Sequence, residues 1–296
     1  VPRHYLTKLA DVKDKACQEI FENYEKPANY DQLLKIVKII ADIKSRPINI
    51  DISKMARVSV QDRNIHNLLK KCNPVVSYNM TKTVTGRLTT KKDTFPVMTL
   101  AKKYRNVVTP SNNWLFEMDF NACELRTALA LLGQEQPEED LHDWNLANVF
   151  IRAKDRNNAK KRIFAWLYNP NSNDDKVSKI YDRKKLKELY YDGKKVITPF
   201  GREIECDDNH AISYLIQSTA ADLVFEQIYK LWKYLDGKKS FIKFCNHDSV
   251  MIDFHEEEEQ SFHEMRQIFG NTRFGKFKAT SFGGKDWFDM KQLLIN

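Results

Sequence analysis

Two apolar runs that lead into aspartates constrain the fold of this chain more than any other feature. Residues 114–118 (Trp-Leu-Phe-Glu-Met) run into Asp119, and the runs 241–245 and 250–254 are joined across His247-Asp248. The first run predicts a buried strand and the other two predict a hairpin with Asp248 at its turn. The sequence therefore predicts two carboxylates side by side at one edge of a sheet. Their mutual repulsion would be relieved by divalent cations.

A basic and aromatic helix is predicted between these aspartates. Arg156, Lys160, Phe164 and Tyr168 recur at four-residue spacing, which places them along one helical face. Two cations near the helix N-terminus suit phosphates, and the aromatics suit a base or sugar. In isolation, an aspartate at a turn or an amphipathic helix is more often structural. The combination favours nucleotidyl transfer, in which carboxylates bind two metal ions and cations bind a triphosphate.

The distribution of charge predicts a polyanionic partner. The net charge is +8, and residues 1–110 carry 21 basic against 10 acidic side chains, whereas residues 111–296 carry 27 against 30. A basic region of this kind suits nucleic acid, although solvated helices have similar compositions.

Apolar and cysteine content indicate a globular protein of a reducing compartment. No apolar run approaches the roughly 20 residues of a membrane span. The five cysteines are scattered and odd in number, which argues against a disulfide framework. We expect a cytoplasmic location, or the host-cell cytoplasm for a viral protein, since no organellar targeting segment is visible. Because the first residue is Val1, we expect a trimmed or processed piece of a longer protein.

Local patterns predict the order of elements along the chain. Residues 47–113 are expected to form short strands and turns, and Asp31 is expected to cap a helix that ends before Pro47. The predicted helices are 3–24, 31–46, 123–132 (stopped by Gly133), stretches of 140–168, and 210–235, with a hairpin at 196–205.

Residues 84–288 resemble the palm and fingers of family A DNA polymerases, the DNA polymerase I type. Thr85-Gly86-Arg87-Leu88 is similar to the turn of this family beside the primer, and Asp119–Arg126 is similar to its first catalytic motif. The resemblance implies that Arg87 and Arg126 contact DNA. It also implies that Asp119 and the carbonyl oxygen of Phe120 bind metal, and that Glu124 excludes a ribose 2′-hydroxyl.

The predicted helix at 156–168 and the His247-Asp248 pair extend the resemblance. It implies that Arg156 and Lys160 hold the triphosphate, with Lys160 taking part in catalysis. It further implies that His142 approaches the phosphates, that Phe164 lies against the deoxyribose, and that Tyr168 guards the template base position. It also implies that Gln217 contacts the minor groove, that His247 contacts DNA and that Asp248 binds metal. Asn169 and Ser213 depart from the usual Gly and Asn, and Ser249 replaces the usual Glu.

The implied fold class is α+β, a right-hand polymerase whose palm carries an antiparallel sheet and whose fingers and thumb are helical. The expected regions are a basic thumb at 1–83, palm at 84–133, reduced fingers at 134–205 and palm again at 206–296. We expect a compact viral or phage-like member that extends a primer with deoxynucleotides. Its expected cofactors are two Mg²⁺ ions, for which Mn²⁺ can substitute. Its expected partners are primer–template DNA, deoxynucleoside triphosphates and accessory replication proteins, without a membrane.

Two alternatives remain open at this point. Single-subunit phage RNA polymerases share the His-Asp-Ser form, so an RNA polymerase or primer-synthesising enzyme of this fold is the first. Glu124 argues against it, because RNA enzymes of the fold carry a small residue there. The second is a catalytically silent nucleic-acid-binding module, against which the presence of both aspartates and Lys160 argues. Use of RNA templates stays open.

Overall fold

The computed structural model describes residues 2–150 and 155–293. Its helices are α1 (Arg3–Asn23), α2 (Tyr30–Ser45), α3 (Ile52–Gln61), α4 (Arg63–Lys71), α5 (Cys123–Leu131), α6 (Leu141–Asn148), α7 (Arg156–Tyr168), α8 (Asp175–Ser178), α9 (Arg183–Tyr190), α10 (Ala211–Tyr234) and α11 (Ser261–Gly270). Its strands are β1 (Asn49–Ile50), β2 (Tyr78–Asn79), β3 (Thr89–Thr90), β4 (Val108–Thr109), β5 (Trp114–Phe120), β6 (Lys195–Ile197), β7 (Glu203–Glu205), β8 (Phe241–Asn246), β9 (Ser249–Phe254), β10 (Asn271–Thr272), β11 (Gly275–Lys276), β12 (Ala279–Gly284) and β13 (Lys291–Gln292).

A five-stranded antiparallel sheet in the order β13-β12-β5-β9-β8 forms the centre of the fold. β5 is flanked on both sides, and its Asp119 pairs in register with Ser249 of β9 and Thr280 of β12. Successive side chains of a strand point to opposite faces. Phe116, Met118 and Phe120 are accordingly buried, whereas Glu117 and Asp119 share the other face and are only partly covered.

α10 joins two hydrophobic cores. It packs on α2 and α11 below the sheet, and its first half packs with α5, α7 and α9 in a second core. A helix that packs against other elements on all sides must be apolar on all sides. α10 accordingly buries residues around its whole circumference. No helix in the described residues is both long and apolar enough to cross a membrane.

The sequence predictions for α5, α7, α10 and the hairpins are confirmed, and two others are corrected. Residues 47–113 contain two helices, α3 and α4, whose N-termini are capped by the side chains of Asp51 and Asp62. Each of them buries a single residue, Val58 in α3 and Leu69 in α4. α2 begins at Tyr30 after Asn29, and Asp31 lies in its first turn rather than at the cap. Within the predicted 140–168 stretches, residues 151–154 lie outside the described residues.

A buried ion pair fixes the chain where it enters β5. Lys243 and Asp253 are 3.0 Å apart and almost wholly inaccessible, and Asp253 accepts hydrogen bonds from the backbone N–H groups of Ser111 and Asn112. Buried charges are stable only when paired and hydrogen-bonded, so this arrangement allows little movement of the strand that follows.

Candidate active site

One cleft of about 510 Å³ brings together most of the residues singled out in the sequence. It lies between the edge of the central sheet and α7. Its lining includes Arg87, Asp119, Phe120, Glu124, His142, Arg156, Lys160, Phe164, His247 and Asp248. Of the remaining predicted residues, Tyr168 and Gln217 lie beside this lining and Arg126 does not.

The aspartate pair forms the acidic floor of the cleft. Asp119 lies on β5, and Asp248 lies in the turn between β8 and β9, where His247 takes the left-handed conformation with φ 56°. The Phe120 N–H donates to the Asp248 carbonyl oxygen at 3.2 Å, which ties this turn to the end of β5. Burial, together with the charges of Asp248 and Glu117, raises the pKa of Asp119 well above its usual range, and burial also raises that of Asp248.

These two carboxylates fit divalent cations. Two partly buried acids that repel each other gain from a shared positive charge, and carboxylate oxygens are the ligands that Mg²⁺ prefers. In the described residues, no three His, Cys, Asp or Glu side chains converge as ligands of one ion. A cation held here would therefore complete its coordination with oxygens from the backbone, water or a phosphate-bearing ligand, as Mg²⁺ commonly does.

Glu124, in the first turn of α5, links two sides of the cleft. Its carboxylate contacts the guanidinium of Arg87 and accepts a hydrogen bond from the Tyr168 hydroxyl. Burial raises the pKa of Tyr168 to about 12, so this hydroxyl stays a neutral donor, and Gln217 also hydrogen-bonds to it. The Phe164 ring stacks on Tyr168 with centroids 5.9 Å apart.

α7 carries the cations opposite the acidic floor. Asp155 caps it through the Asn158 N–H, and its inner face buries Ala159, Ile163, Trp166 and Leu167. Arg156, Lys160 and Phe164 lie along an adjacent stripe of the helix and line the cleft. Lys160 is exposed, with its Nζ 6.0 Å from the centre of the Phe164 ring.

Arg156, the other cation, is engaged by two carboxylates. Its guanidinium lies 2.7 Å from Asp140 and 3.2 Å from Asp143. The Asp140 carboxylate also accepts from Asn121, directly after β5, at 2.6 Å. Burial alone would raise the pKa of Asp140, but the hydrogen bonds, led by that of Arg156, outweigh it and lower the pKa to about 2. Arg156 is thus held by two carboxylates, with which an anionic ligand would have to share it.

His142 is a neutral polar group inside the cleft. It is 5% exposed, its ring lies 6.0 Å from that of Phe164, and its Nδ1 has no hydrogen-bond partner among the described residues. Burial, with the charges of Lys160 and Arg156, lowers its pKa to about 4. A buried polar atom without a partner is costly, so a ligand that hydrogen-bonds to it would be favoured.

The prediction that Arg126 contacts DNA is wrong. The side chain is wholly buried and donates to the carbonyl oxygens of Asn121, Pro137 and Glu139 at 2.8–2.9 Å. Arg126 therefore holds the segment that leads into α6 against the start of α5. The helical pattern alone cannot reveal this role, because all three carbonyl groups lie outside α5, before its first turn or in the segment after it.

A glycine supports the turn that carries Arg87. Gly86 has φ +74°, and a Cβ at this position would lie 2.6 Å from the guanidinium of Arg202. Arg202 in turn forms a two-point hydrogen-bonded ion pair with the buried Asp222 of α10, at 3.0 and 2.7 Å. Because this ion pair holds the Arg202 guanidinium in place, there is no room for a Cβ at position 86. The turn therefore requires glycine both for its positive φ and for the lack of a side chain.

Two residues of the site were missed in the sequence. Glu117 accepts a hydrogen bond from Ser249 at 2.8 Å, and its spacing of two from Asp119 on a strand could have indicated a shared face. The Tyr78 hydroxyl accepts from the Cys245 N–H at 2.9 Å and donates to the Cys245 carbonyl at 2.6 Å. Tyr78 thus holds β8 just before the Asp248 turn. No local sequence pattern indicates this role of Tyr78.

Comparison with known proteins identifies the fold. No protein-family model matches the chain, and no curated protein matches it in sequence. Among solved structures it is similar to the POL domain of Pol1 from M. smegmatis in complex with DNA primer-template and dNTP, with a TM-score of 0.62 and 16% identity. The match covers 79% of this chain and 52% of that one, so the chain spans about half of its length. The predicted α+β right-hand polymerase fold is thereby confirmed.

The low pKa of His142 makes stability depend on pH in a defined direction. The folded protein binds the proton less readily than the unfolded chain, whose histidine titrates near 6.5, so stability should fall as the pH drops from about 6.5 to 4. In His142→Gln this loss is absent. Urea unfolding at pH 7 and pH 4 should show the wild type losing roughly 2–3 kcal/mol more than the variant. An equal loss in both proteins would contradict a neutral His142.

Proposed function

We propose that this chain is a template-directed DNA polymerase that extends a primer with deoxynucleoside triphosphates by two-metal-ion nucleotidyl transfer. One observation carries the proposal. Asp119 and Asp248 lie together on the floor of a cleft whose opposite wall carries Lys160 and Arg156. A negative floor and a positive wall suit a reaction that joins metal ions to a triphosphate.

Asp119, Asp248 and the Phe120 carbonyl would hold two Mg²⁺ ions, for which Mn²⁺ can substitute. Ions bound there would supply activation of the primer 3′-hydroxyl and stabilisation of the charge on the leaving pyrophosphate. Lys160 and Arg156 bind the triphosphate oxygens, and Arg156 does so while shared with Asp140. Neutral His142 contributes a hydrogen bond without adding charge. Lys160 is the exposed cation of α7 within the cleft, so we assign it the catalytic role.

Selection of the sugar is assigned to Glu124. Its carboxylate is fixed by Tyr168 on one side and Arg87 on the other, so it cannot easily turn away from a ribose 2′-hydroxyl. Phe164, stacked on Tyr168, would offer an apolar surface to the deoxyribose, and Tyr168 would guard the template base position. This arrangement favours deoxynucleotides, and it argues against the RNA polymerase that Ser249 alone would allow.

DNA binding is assigned to three residues and one basic region. Arg87 and Gln217 would read the minor groove near the primer terminus, and exposed His247 would contact the primer strand. Residues 1–83 form the proposed thumb, residues 84–133 and 206–296 the palm, and residues 134–205 the reduced fingers. The excess of basic residues before position 110 suits phosphate contacts. The reduced fingers support a compact, phage-like member of family A, which would work with accessory replication proteins.

The first test removes the metal ligands one at a time. Asp119→Asn and Asp248→Asn keep the shape of each side chain but remove its charge, so primer extension should fall at least about 1,000-fold. Binding of primer–template should stay within a few-fold of the wild type, because these residues do not contact the phosphates of the duplex. Extension is measured under single-turnover conditions and binding by fluorescence anisotropy. Near-normal extension by either variant would refute the assignment.

The second test concerns the sugar. Glu124→Ala opens the space that a 2′-hydroxyl needs, so incorporation of ribonucleotides relative to deoxynucleotides should rise by about 10- to 100-fold even if total activity falls. The measurement is the ratio of incorporation efficiencies for ATP and dATP opposite the same template base. Tyr168→Phe serves as the control, because it frees Glu124 from one partner while keeping the carboxylate. An unchanged ratio in Glu124→Ala would show that another residue selects the sugar.

A further inference from the structure

The first helix, α1, carries an apolar stripe that no other part of the described chain covers. α1 buries none of its 21 residues. The stripe follows spacings of three and four residues, and it is formed by Tyr5, Leu9, Val12, Ala16 and Ile20. Its four large side chains are 52–64% exposed. Most helices in proteins are stabilised by burial of such a face, so the stripe indicates a docking surface.

The net charge of α1 argues against a polyanionic partner. The helix carries four basic and four acidic side chains, so its net charge is zero at neutral pH. The excess of basic residues before position 110 therefore lies outside α1. A helix that docks on duplex DNA or on an anionic lipid surface needs positive charge beside its apolar stripe. Because α1 has no such excess, its charge favours a protein partner.

The order of the charges along one flank of the stripe is self-complementary. Spacings of three and four residues place four charged side chains on this flank, namely Lys8, Asp11, Lys15 and Glu19. Two helices that pair antiparallel bring the same flank of each together, with the sequences running in opposite directions. If they cross near residue 13, Lys8 of one copy lies beside Glu19 of the other, and Asp11 lies beside Lys15. Two-fold symmetry repeats each of these opposite-charge contacts.

The apolar side chains favour the same antiparallel arrangement. Around the same crossing point, Tyr5 of one copy lies near Ile20 of the other, and the macrodipoles of antiparallel helices attract each other. A parallel pair would instead bring the charged flank of one copy against the opposite flank of the other. That flank is mainly apolar, with Leu6, Ala10 and Phe21. Charged side chains would then face apolar ones, which is unfavourable.

We propose that α1 is a self-association surface, on which a second copy of this chain docks antiparallel to form a two-fold symmetric dimer. The stripes of both copies form the centre of the interface and are removed from water. The flanking contacts between Lys8 and Glu19 and between Asp11 and Lys15 fix the orientation more than the affinity, because exposed ion pairs are weak. The dimer does not rest on the proposed polymerase function, since α1 contributes no residue to the lining of the cleft.

Sedimentation velocity of the full chain tests the dimer. The 34.8 kDa chain should convert to twice that mass as its concentration rises from roughly 1 to 100 µM. The double variant Leu9→Gln with Ile20→Gln keeps residues that suit a helix but removes apolar area from both copies. Its dissociation constant should therefore rise at least about 100-fold. Val60→Gln changes an 89% exposed side chain of α3 and should leave the dissociation constant unchanged.

Reversal of charge tests the antiparallel orientation. Lys8→Glu and Glu19→Lys each create like-charge contacts on both sides of the symmetry axis, so each variant alone should dimerise about tenfold more weakly. An equal mixture of the two should form a heterodimer about as stable as the wild-type dimer, because each reversed charge then meets its opposite. Positions 8 and 19 lie about 16 Å apart along a helix, so a parallel pair could not show this rescue.

Three outcomes would overturn the proposal. The first is a wild type that stays monomeric at about 100 µM, which is weaker than a specific dimer requires. The second is a mixture of Lys8→Glu and Glu19→Lys that dimerises as weakly as either variant alone. The third is a monomeric wild type whose binding of primer–template DNA is weakened by Leu9→Gln with Ile20→Gln, since DNA would then cover α1. Circular dichroism should show equal helix content in all variants.

Discussion

The pairing of β5 with β9 places two like charges next to each other and prevents them from separating. β5 is held on both sides by antiparallel neighbours, so Asp119 cannot move with its strand. The Asp248 turn is held by the Phe120 N–H on one side, and by Tyr78 at Cys245 just before it. The hydrophobic core behind the sheet offsets the repulsion that remains. The proposed cation site would therefore owe its affinity for cations to the backbone that holds the two carboxylates together.

The rest of the cleft is arranged around this charge. Positive side chains stand on the opposite wall, and Arg156 is balanced by Asp140 and Asp143. The groups between the walls are neutral, because burial raises the pKa of Tyr168 and lowers that of His142. Glu124 is the exception, and it is held in contact with the guanidinium of Arg87. A site built this way can bind cations and a polyanion at once without burying an unpaired charge of either sign.

Features set by short-range patterns could be predicted from the sequence. The spacing of Arg156 to Tyr168 gave α7, and the apolar runs gave the strands of both aspartates. Features that depend on residues far apart in the sequence could not be predicted in this way. Arg126 looks like a solvent-exposed cation until carbonyl groups of Pro137 and Glu139 are brought to it. Likewise, the bond of Ser249 to Glu117 requires the register of two strands, and the engagement of Arg156 requires the position of α6.

The most direct test of the central claim is the free energy of unfolding with and without divalent cation. At pH 8, in the presence of a chelator, Asp119→Asn should be more stable than the wild type by about 1–3 kcal/mol, because it removes one of two repelling, partly buried charges. Adding Mg²⁺ should stabilise the wild type and leave the variant almost unchanged. If the chelated wild type is the more stable protein and Mg²⁺ affects both equally, then Asp119 and Asp248 do not form a cation site.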